Sequence, residues 1–245
     1  MAFFAVANIK SVPLMRTSKV VADLDRLLGS WLKGKGAVIG LSEITPRTYK
    51  TAVKAAAVRH GFGVYGALEE NPILWDLRRF EYYPAGGRGR FTMHEGRRLV
   101  TPHRTYVWIA LREVGTANVF IFVATHYVSG AWARAFRSFK AWRRGMWQDA
   151  WNDQNEFVDS MTDKGFAVVN VGDYNKGNFE PFSVGQVELL GSTAGIMHVS
   201  WVDGRYVKGD YVGTPVDRLN GSKNGGPLNT DHPAWGREVR LSRVA

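Results

Sequence analysis

The sequence predicts a mixed α/β sandwich, because strand-like and helix-like patterns alternate along one chain. Apolar segments with the length of β-strands recur, and many are continuous rather than alternating, as expected of strands covered on both faces. Helical patterns lie between the early segments, and the chain after about residue 162 is rich in strands, glycine and turns. The predicted strands are residues 3–8, 37–42, 62–67, 72–76, 105–112, 118–125, 166–172, 196–202 and 237–242.

Three helices are predicted between these strands. Ser18 is a candidate N-cap for the first helix, whose apolar residues share one face. Thr45 and Pro46 have the residue types of an N-cap and a first turn, so the second helix would follow them and end near Gly61. The third helix would cover much of residues 131–162.

The third helix carries aromatic and basic residues, which together can bind single-stranded nucleic acid by base stacking. The near-helical spacing of the aromatic residues favours packing against a sheet instead, with the arginines on the outer surface. The aromatic residues are Trp132, Phe136, Phe139, Trp147 and Trp151, and the arginines are Arg134, Arg137, Arg143 and Arg144.

Composition narrows the class of protein. With 245 residues and 45% hydrophobic content, the chain can bury one large core, and we expect a single domain over residues 1–245. The absence of cysteine excludes disulfides and thiolate metal sites.

No signal peptide and no transmembrane span are recognisable, so we expect a cytoplasmic protein. A net charge of +10 favours a polyanionic partner, because each neutralised phosphate releases counterions, although charge alone fits a soluble basic protein equally well.

Polar residues that can do chemistry follow several of the predicted strands. They stand where apolar sequence gives way to a turn, so the fold could bring them to one rim. They are Asn8, Glu43, His126, the Asp173-Tyr174-Asn175 segment, Asp217, and the Asp231-His232 pair in a late turn.

This ordered set of Asn, Glu, His, Asp-x-Asn, Asp and Asp-His resembles the endonuclease/exonuclease/phosphatase superfamily, whose best-known nuclease is deoxyribonuclease I. The resemblance spans essentially the whole chain, from Asn8 to the strand after His232. Leu219 and Thr230 depart mildly from the isoleucine and serine of the family pattern. The resemblance implies two stacked mixed β-sheets flanked by helices, a deoxyribonuclease I-like four-layer sandwich with the site at one edge.

The resemblance also implies a magnesium site, with manganese as the alternative ion. Glu43 would be the main ligand, and Asn8 and Asp231 would lie near the same ion. Such hard cations take oxygen ligands and keep several waters, so few protein ligands suffice. Considered alone, Glu43 is better explained as a surface glutamate, and only its place in the ordered set favours the metal.

The same resemblance implies that the turn beginning at Asp173 contacts the attacking water and the substrate phosphate. Asp173 would orient or activate the attacking water, and Asn175 would hold a phosphate oxygen or that water. If the extended geometry persists beyond the strand, the two side chains lie on the same side. An Asp-x-Asn turn is equally common as a capping device.

Two histidines complete the implied acid–base chemistry. Asp217 would fix the tautomer of His232, which would act as the base. His126 would protonate the leaving oxygen, with Glu70 as the nearest match for its carboxylate partner and Glu69 adjacent to it, although the resemblance leaves open which of the two histidines is the acid.

Arginines are the implied phosphate ligands. Arg104 resembles the family arginine that grips a substrate phosphate, a role for which the planar guanidinium is suited. A solvated arginine at a strand edge is the alternative. Further contacts to the phosphate backbone of the substrate would come from the loop with Arg88 and Arg90 and from Arg97 and Arg98.

The function implied is divalent-metal-dependent hydrolysis of nucleic-acid phosphodiester bonds by an endonuclease acting as a monomer, with DNA favoured over RNA. Two alternatives remain open. One is a phosphatase or phosphodiesterase of a small or lipid-linked phosphate, and the other is a catalytically silent relative that only binds nucleic acid.

Overall fold

The computed structural model describes most of the chain. The described residues are 1–9, 16–45, 47–94, 104–128, 131, 140–176, 187–189, 197–211 and 234–244. Several residues singled out above lie outside these ranges, namely Pro46, Arg97, Arg98, Trp132, Arg134, Phe136, Arg137, Phe139, Asp217, Leu219, Thr230, Asp231 and His232.

The described residues form thirteen strands and three α-helices. In chain order they are β1 (Ala2–Asn8), α1 (Thr17–Arg26), β2 (Ala37–Ser42), α2 (Arg47–His60), β3 (Phe62–Tyr65), β4 (Ile73–Asp76), β5 (Phe80–Tyr82), β6 (Arg88–His94), β7 (Arg104–Glu113), β8 (Val119–His126), α3 (Lys140–Asp163), β9 (Ala167–Asp173), β10 (Val187–Glu188), β11 (Met197–Val202), β12 (Val207–Tyr211) and β13 (Trp235–Arg243). A π-helical turn, Leu27–Trp31, extends α1, and a short 3-10 turn, Pro84–Gly86, precedes β6. No helix in the described part of the chain is long and apolar enough to cross a membrane.

The strands form two mixed sheets. The first has the order β12-β13-β1-β2-β4-β3, and the second has the order β10-β11-β9-β8-β7-β5, with β6 also paired to β7. β1 runs parallel to β2 and β8 runs parallel to β9, while the other described pairs are antiparallel. The register places Asn8 opposite Ser42 and His126 opposite Asp173. In each parallel pair, the C-terminal ends of the two strands therefore lie side by side.

The two sheets pack face to face and carry helices on their outer faces. Aromatic residues fill the space between the sheets, where the Phe4 ring lies 5.3 Å from Phe120 and stacks on Trp201 at 5.9 Å. α1 and α2 cover the outer face of the first sheet, and α3 covers the outer face of the second. The result is a four-layer α/β/β/α sandwich, which confirms the predicted fold class.

The predicted strands are all present, with ends that differ by no more than two residues. β5, β6, β10 and β12 were not predicted, because they are short or rich in charged residues and glycine. The prediction of Ser18 as an N-cap is wrong, since α1 begins at Thr17 and the N-cap residue, Arg16, makes no side-chain capping bond. Burial of Val20 and Leu24 on the sheet, rather than a cap, positions this helix.

The aromatic residues of α3 that the structure describes pack in the core, as predicted. Trp147 is 1% exposed and Trp151 is 8% exposed. The two indoles stack with their centroids 5.1 Å apart. Arg144 is exposed as expected, whereas Arg143 is half-buried.

Gly172 permits the close approach of β8 and β9 next to the end of β9. A Cβ atom at this position would lie 2.5 Å from both the carbonyl oxygen and Cγ2 of Thr125. We expect Gly172→Ala to lower the free energy of unfolding by about 1–3 kcal/mol, because the backbone must shift. Gly145→Ala is the matched control, since an added Cβ in this exposed part of α3 meets no atom within 4 Å.

The control substitution should raise the free energy of unfolding by roughly 0.5–1 kcal/mol, because alanine is the better helix former. Urea unfolding of both variants measures the contrast. Equal effects of the two substitutions would contradict this account of Gly172.

Candidate active site

Four polar side chains lie where the parallel strand pairs end. Asn8, His126 and Asp173 are the last residues of β1, β8 and β9, and Glu43 directly follows β2. Asn8 Nδ2 donates to Asp173 Oδ2 at 3.2 Å, which connects the two sheets. Glu43 Oε1 lies 3.9 Å from His126 Nε2, which connects them a second time. The fold thus brings these four predicted site residues to one edge of the sandwich.

The backbone is strained at two of the candidate site residues. Glu43 has a φ of 64° and Asn175 a φ of 52°, and they are the non-glycine residues with positive φ in the described ranges. A side chain in this left-handed region costs on the order of 1 kcal/mol or more, and such strain collects at functional sites. The turn at Glu43 directs its carboxylate toward His126, with the Ile44 N–H donating to the Glu70 carbonyl at 2.9 Å.

Asn8 offers an unsatisfied oxygen to the site. The residue is 0% exposed, and Oδ1 has no hydrogen-bond partner among the described residues. A buried acceptor of this kind costs free energy unless a water or a cation meets it. With the partly exposed carboxylate of Glu43 it supplies the hard oxygen atoms that Mg²⁺ prefers.

These side chains therefore fit a divalent cation of the kind that the sequence resemblance implies. The described residues contain no group of three or more His, Asp or Glu side chains able to hold a metal ion by themselves. The third predicted ligand, Asp231, lies outside them.

Glu70 contacts the His126 imidazole. Glu70 Oε1 lies 2.8 Å from His126 Nδ1, and the histidine side chain is 4% exposed. The neighbouring Glu69 points away and pairs with Arg90, whose Nη1 lies 3.1 Å from both carboxylate oxygens. Because a carboxylate only accepts, the Glu70 contact requires a proton on Nδ1. The other ring nitrogen, Nε2, then faces Glu43.

Arg104 is buried beside the same carboxylate. Its Nη1 pairs with Glu70 Oε1 and lies 2.9 Å from His126 Nδ1. Both nitrogens carry hydrogen in this arrangement, so the carboxylate accepts from both and the Arg104–His126 contact is not itself a hydrogen bond. At 6% exposure Arg104 is not a solvated residue at a strand edge, and that alternative is wrong.

The Glu70 carboxylate is held in its ionised form. Burial would raise the pKa of this group, but the hydrogen bond with His126 and the charges of His126 and Arg104 outweigh burial and lower the pKa from 4.5 to about 2. A carboxylate with a lowered pKa contributes stability above its unfolded pKa and loses it as the pH falls through the folded value. The window for this loss is pH 4.5 down to about 2.

Glu70→Gln should therefore destabilise the protein most at neutral pH. We expect its deficit in the free energy of unfolding, relative to the unmodified chain, to shrink as the pH falls below about 4.5. Urea unfolding at a series of pH values measures this convergence. Glu69→Gln is the matched control, because an exposed ion pair contributes only about 0–1 kcal/mol. A Glu70→Gln deficit that stays constant down to pH 2 would contradict the assignment.

Asn71 is a site-building residue that the sequence did not reveal. It is 0% exposed, and its Nδ2 donates to the carbonyl oxygens of Ala124 at 2.6 Å and Thr105 at 3.0 Å. These bonds fasten the segment that carries Glu70 to β7 and β8. The available signal was an Asn-Pro pair directly before a strand, which is a common turn composition.

The turn after β9 differs from the expected extended geometry. Asn175 takes a left-handed conformation, its N–H donates to Asp173 Oδ1 at 2.9 Å, and its Nδ2 donates to the Tyr127 carbonyl at 2.9 Å. The alternative interpretation of the Asp-x-Asn segment, as a capping turn, thus describes its local structure. One amide hydrogen of Asn175 is already bonded to the Tyr127 carbonyl. Asp173 is 1% exposed, with its two oxygens bonded to Asn8 and to the Asn175 backbone.

Two of the arginines predicted to contact phosphate have partners within the fold. The Arg88 guanidinium lies between the rings of Tyr65 and Tyr82, 5.0 and 4.9 Å from their centroids. Arg90 pairs with Glu69 yet keeps 55% of its side chain exposed. Arg90 is therefore the more accessible of the two.

Comparisons with known proteins give structural matches only. No protein-family model matches the chain, and no curated protein sequence does. An endonuclease/exonuclease/phosphatase from Bacteroides vulgatus superposes with a TM-score of 0.69 at 12% identity, covering 98% of each chain. TDP2 of D. rerio, complexed with a single-strand DNA product, gives 0.66 at 12% identity over 97% of this chain and 98% of that one. A mannosyl-6-phosphatase of Bacteroides thetaiotaomicron gives 0.64 at 12% identity over 98% and 100%.

The chain thus shares the four-layer α/β/β/α fold of these solved structures, with a polar edge formed by strand ends. Its fold is that of the endonuclease/exonuclease/phosphatase superfamily, as its sequence predicted. At this level of identity the matches define the fold alone.

Proposed function

We propose that the protein is a divalent-metal-dependent nuclease that cleaves phosphodiester bonds within nucleic acid, with DNA favoured over RNA. The observation that carries the proposal is the connected set of Glu43, His126, Glu70 and Arg104 beside the Asn8–Asp173 pair. A net charge of +10 supports a polyanionic substrate. The single-strand DNA product bound by the structurally similar TDP2 supports nucleic acid as the substrate class.

Glu43 and Asn8 would hold a magnesium ion, or a manganese ion, together with Asp231. The bound cation would neutralise charge on the phosphate and on the leaving oxygen. Asn8 Oδ1 is suited to this role because it is buried and unsatisfied. The amide of the same residue holds Asp173, so one side chain would link the metal to the residue that orients the water.

His126 would act on the leaving group. Glu70 keeps the Nδ1 proton in place, so Nε2 is the atom that exchanges a proton with substrate, and a protonated Nε2 would donate to the leaving oxygen. Arg104 would balance the charge of Glu70, and its Nε–H, which has no hydrogen-bond partner among the described residues, would donate to a phosphate oxygen.

Asp173 would orient the attacking water. Asn175 would contribute its amide oxygen or its second amide hydrogen, since the first bonds Tyr127. Asp217 and His232 remain the proposed pair on the side of the base, with the aspartate fixing the imidazole tautomer.

A second candidate function has a specific observation behind it. A mannosyl-6-phosphatase has the same fold, so a phosphatase acting on a small phosphate ester is the alternative. A nucleic-acid-binding protein without turnover is the third candidate, and the presence in the sequence of all the expected carboxylate, amide and imidazole residues disfavours it.

Plasmid nicking separates the three candidates. We expect nicking in magnesium or manganese, loss of nicking in chelator, and recovery when the cation is restored, because the ligands offered are oxygen and imidazole groups. The products formed from labelled single-stranded and double-stranded DNA and RNA would then define the substrate. Full activity in exhaustive chelator would refute the mechanism, and hydrolysis of phosphate monoesters without nicking would favour the phosphatase.

A further inference from the structure

Lys176 directly follows the Asp173–Asn175 turn, and the protein holds this segment from several sides. Trp147 Nε1 donates to the Tyr174 carbonyl at 2.7 Å. His198 Nε2 donates to the Lys176 carbonyl at 2.9 Å. With the bond from Asn175 to Tyr127, these contacts fix three consecutive residues after Asp173. The backbone that carries Lys176 is therefore as well positioned as the proposed catalytic turn.

The Lys176 side chain is also directed. Its Nζ lies 4.8 Å from the centroid of the Trp147 ring, within cation–π distance. Trp147 is itself immobilised, because it is 1% exposed and stacks on Trp151. The ammonium group thus has a defined place between the proposed catalytic turn and α3. A cation ordered in advance loses less entropy on binding an anion than a free surface lysine does.

The distribution of charge along α3 favours binding of a polyanion at the N-terminal end of the helix, where Trp147 contacts Lys176. Arg143 lies one helical turn before Trp147, and Arg144 is exposed beside it. The acidic residues of α3 lie further along, at Asp149, Asp153, Glu156, Asp159 and Asp163. Mutual repulsion contributes to raised pKa values there, since burial and then Glu156 raise the pKa of Asp153. A phosphate backbone would be attracted to the Lys176 end and repelled from the other.

We infer that Lys176 binds the phosphate next to the scissile one in a polynucleotide substrate, with Trp147 as the residue that positions its ammonium. The inference rests on the proposed nuclease function and adds a substrate requirement to it. Lys176 discriminates between a nucleic-acid strand and a substrate with a single phosphate, because only the strand supplies a neighbouring phosphate.

The test is the salt dependence of oligonucleotide binding. Binding is measured by fluorescence anisotropy in an Asp173→Asn background, where the amide oxygen can still accept the Asn175 N–H. Lys176→Met should weaken binding roughly tenfold at low salt. It should reduce the slope of log affinity against log salt by about 0.7–0.9, the contribution of one phosphate. Lys176→Arg should preserve the slope.

Lys164→Met is the matched control, because Lys164 is exposed and lies near the opposite end of β9. It should leave affinity and slope unchanged. With active protein, Lys176→Met should raise KM for an oligonucleotide and leave kcat/KM for a dinucleotide, which has one phosphate, unaffected.

The outcomes separate this inference from the proposed function. An unchanged slope for Lys176→Met, with normal oligonucleotide binding by the background protein, overturns the role of Lys176 and leaves the nuclease proposal standing. Equal losses on dinucleotide and oligonucleotide also overturn it, because Lys176 would then act through the turn. No binding of oligonucleotides by the background protein overturns both.

Discussion

Glu43→Gln should reduce the rate of phosphodiester cleavage by at least about 10²-fold, the cost of losing a major electrostatic contribution in a closed site. The substitution keeps the size of the side chain and removes the charge that would hold the cation. It leaves the strained backbone at φ 64° unchanged, so the fold should persist. Cleavage rate measured against magnesium concentration checks the expectation, and the variant should need far more metal for any given rate.

Glu43→Gly separates the structural role of this residue from its chemical one. Glycine adopts positive φ without the steric cost, so this variant should be more stable than Glu43→Gln by about 1 kcal/mol. It should nevertheless be inactive. Greater stability with lost activity would indicate that strain is retained here for function. A Glu43→Gln variant with the rate and magnesium dependence of the unmodified chain would show that the metal lies elsewhere.

The central strands could be predicted because their burial is uniform. β1, β2 and β9 are buried at every position, so their apolar runs are nearly continuous, with Asn170 interrupting that of β9, and a polar residue marks the end of each strand. β12 reads Val-Lys-Gly-Asp-Tyr, and among the described strands its one partner is β13. This strand is stabilised by its backbone pairing within the sheet, and no local apolar pattern in the sequence predicts that pairing.

The sequence indicated that Asn8, Glu43, His126 and Asp173 would meet at one edge, but it did not reveal how neighbouring side chains connect to them. The sequence could not choose between Glu69 and Glu70, because the choice depends on how Asn71 fastens their segment to β7 and β8. Burial of Arg104 was equally hidden, since a strand-edge position usually exposes an arginine. The left-handed turn at Asn175 replaced the expected extended geometry because the Asp173 carboxylate accepts the Asn175 N–H.

His126→Ala should cost at least about 10²-fold in cleavage rate, the usual contribution of a general acid or base. Nε2 of this residue is the ring nitrogen directed at Glu43, while Nδ1 is occupied by Glu70. Glu70→Gln should cost less than His126→Ala, because the imidazole remains but its tautomer and orientation are no longer enforced. Single-turnover cleavage of an oligonucleotide in saturating magnesium measures the chemical step for each variant.

The double variant decides whether Glu70 acts through His126. Residues that work as a unit are non-additive, so Glu70→Gln combined with His126→Ala should be no slower than His126→Ala alone. Glu69→Gln, one residue away and paired with Arg90, should be additive with His126→Ala and nearly neutral by itself. Full additivity for Glu70 would mean that its carboxylate contacts substrate or metal independently of the imidazole. Near-normal rates for His126→Ala would mean that proton transfer to the leaving oxygen is carried by another group.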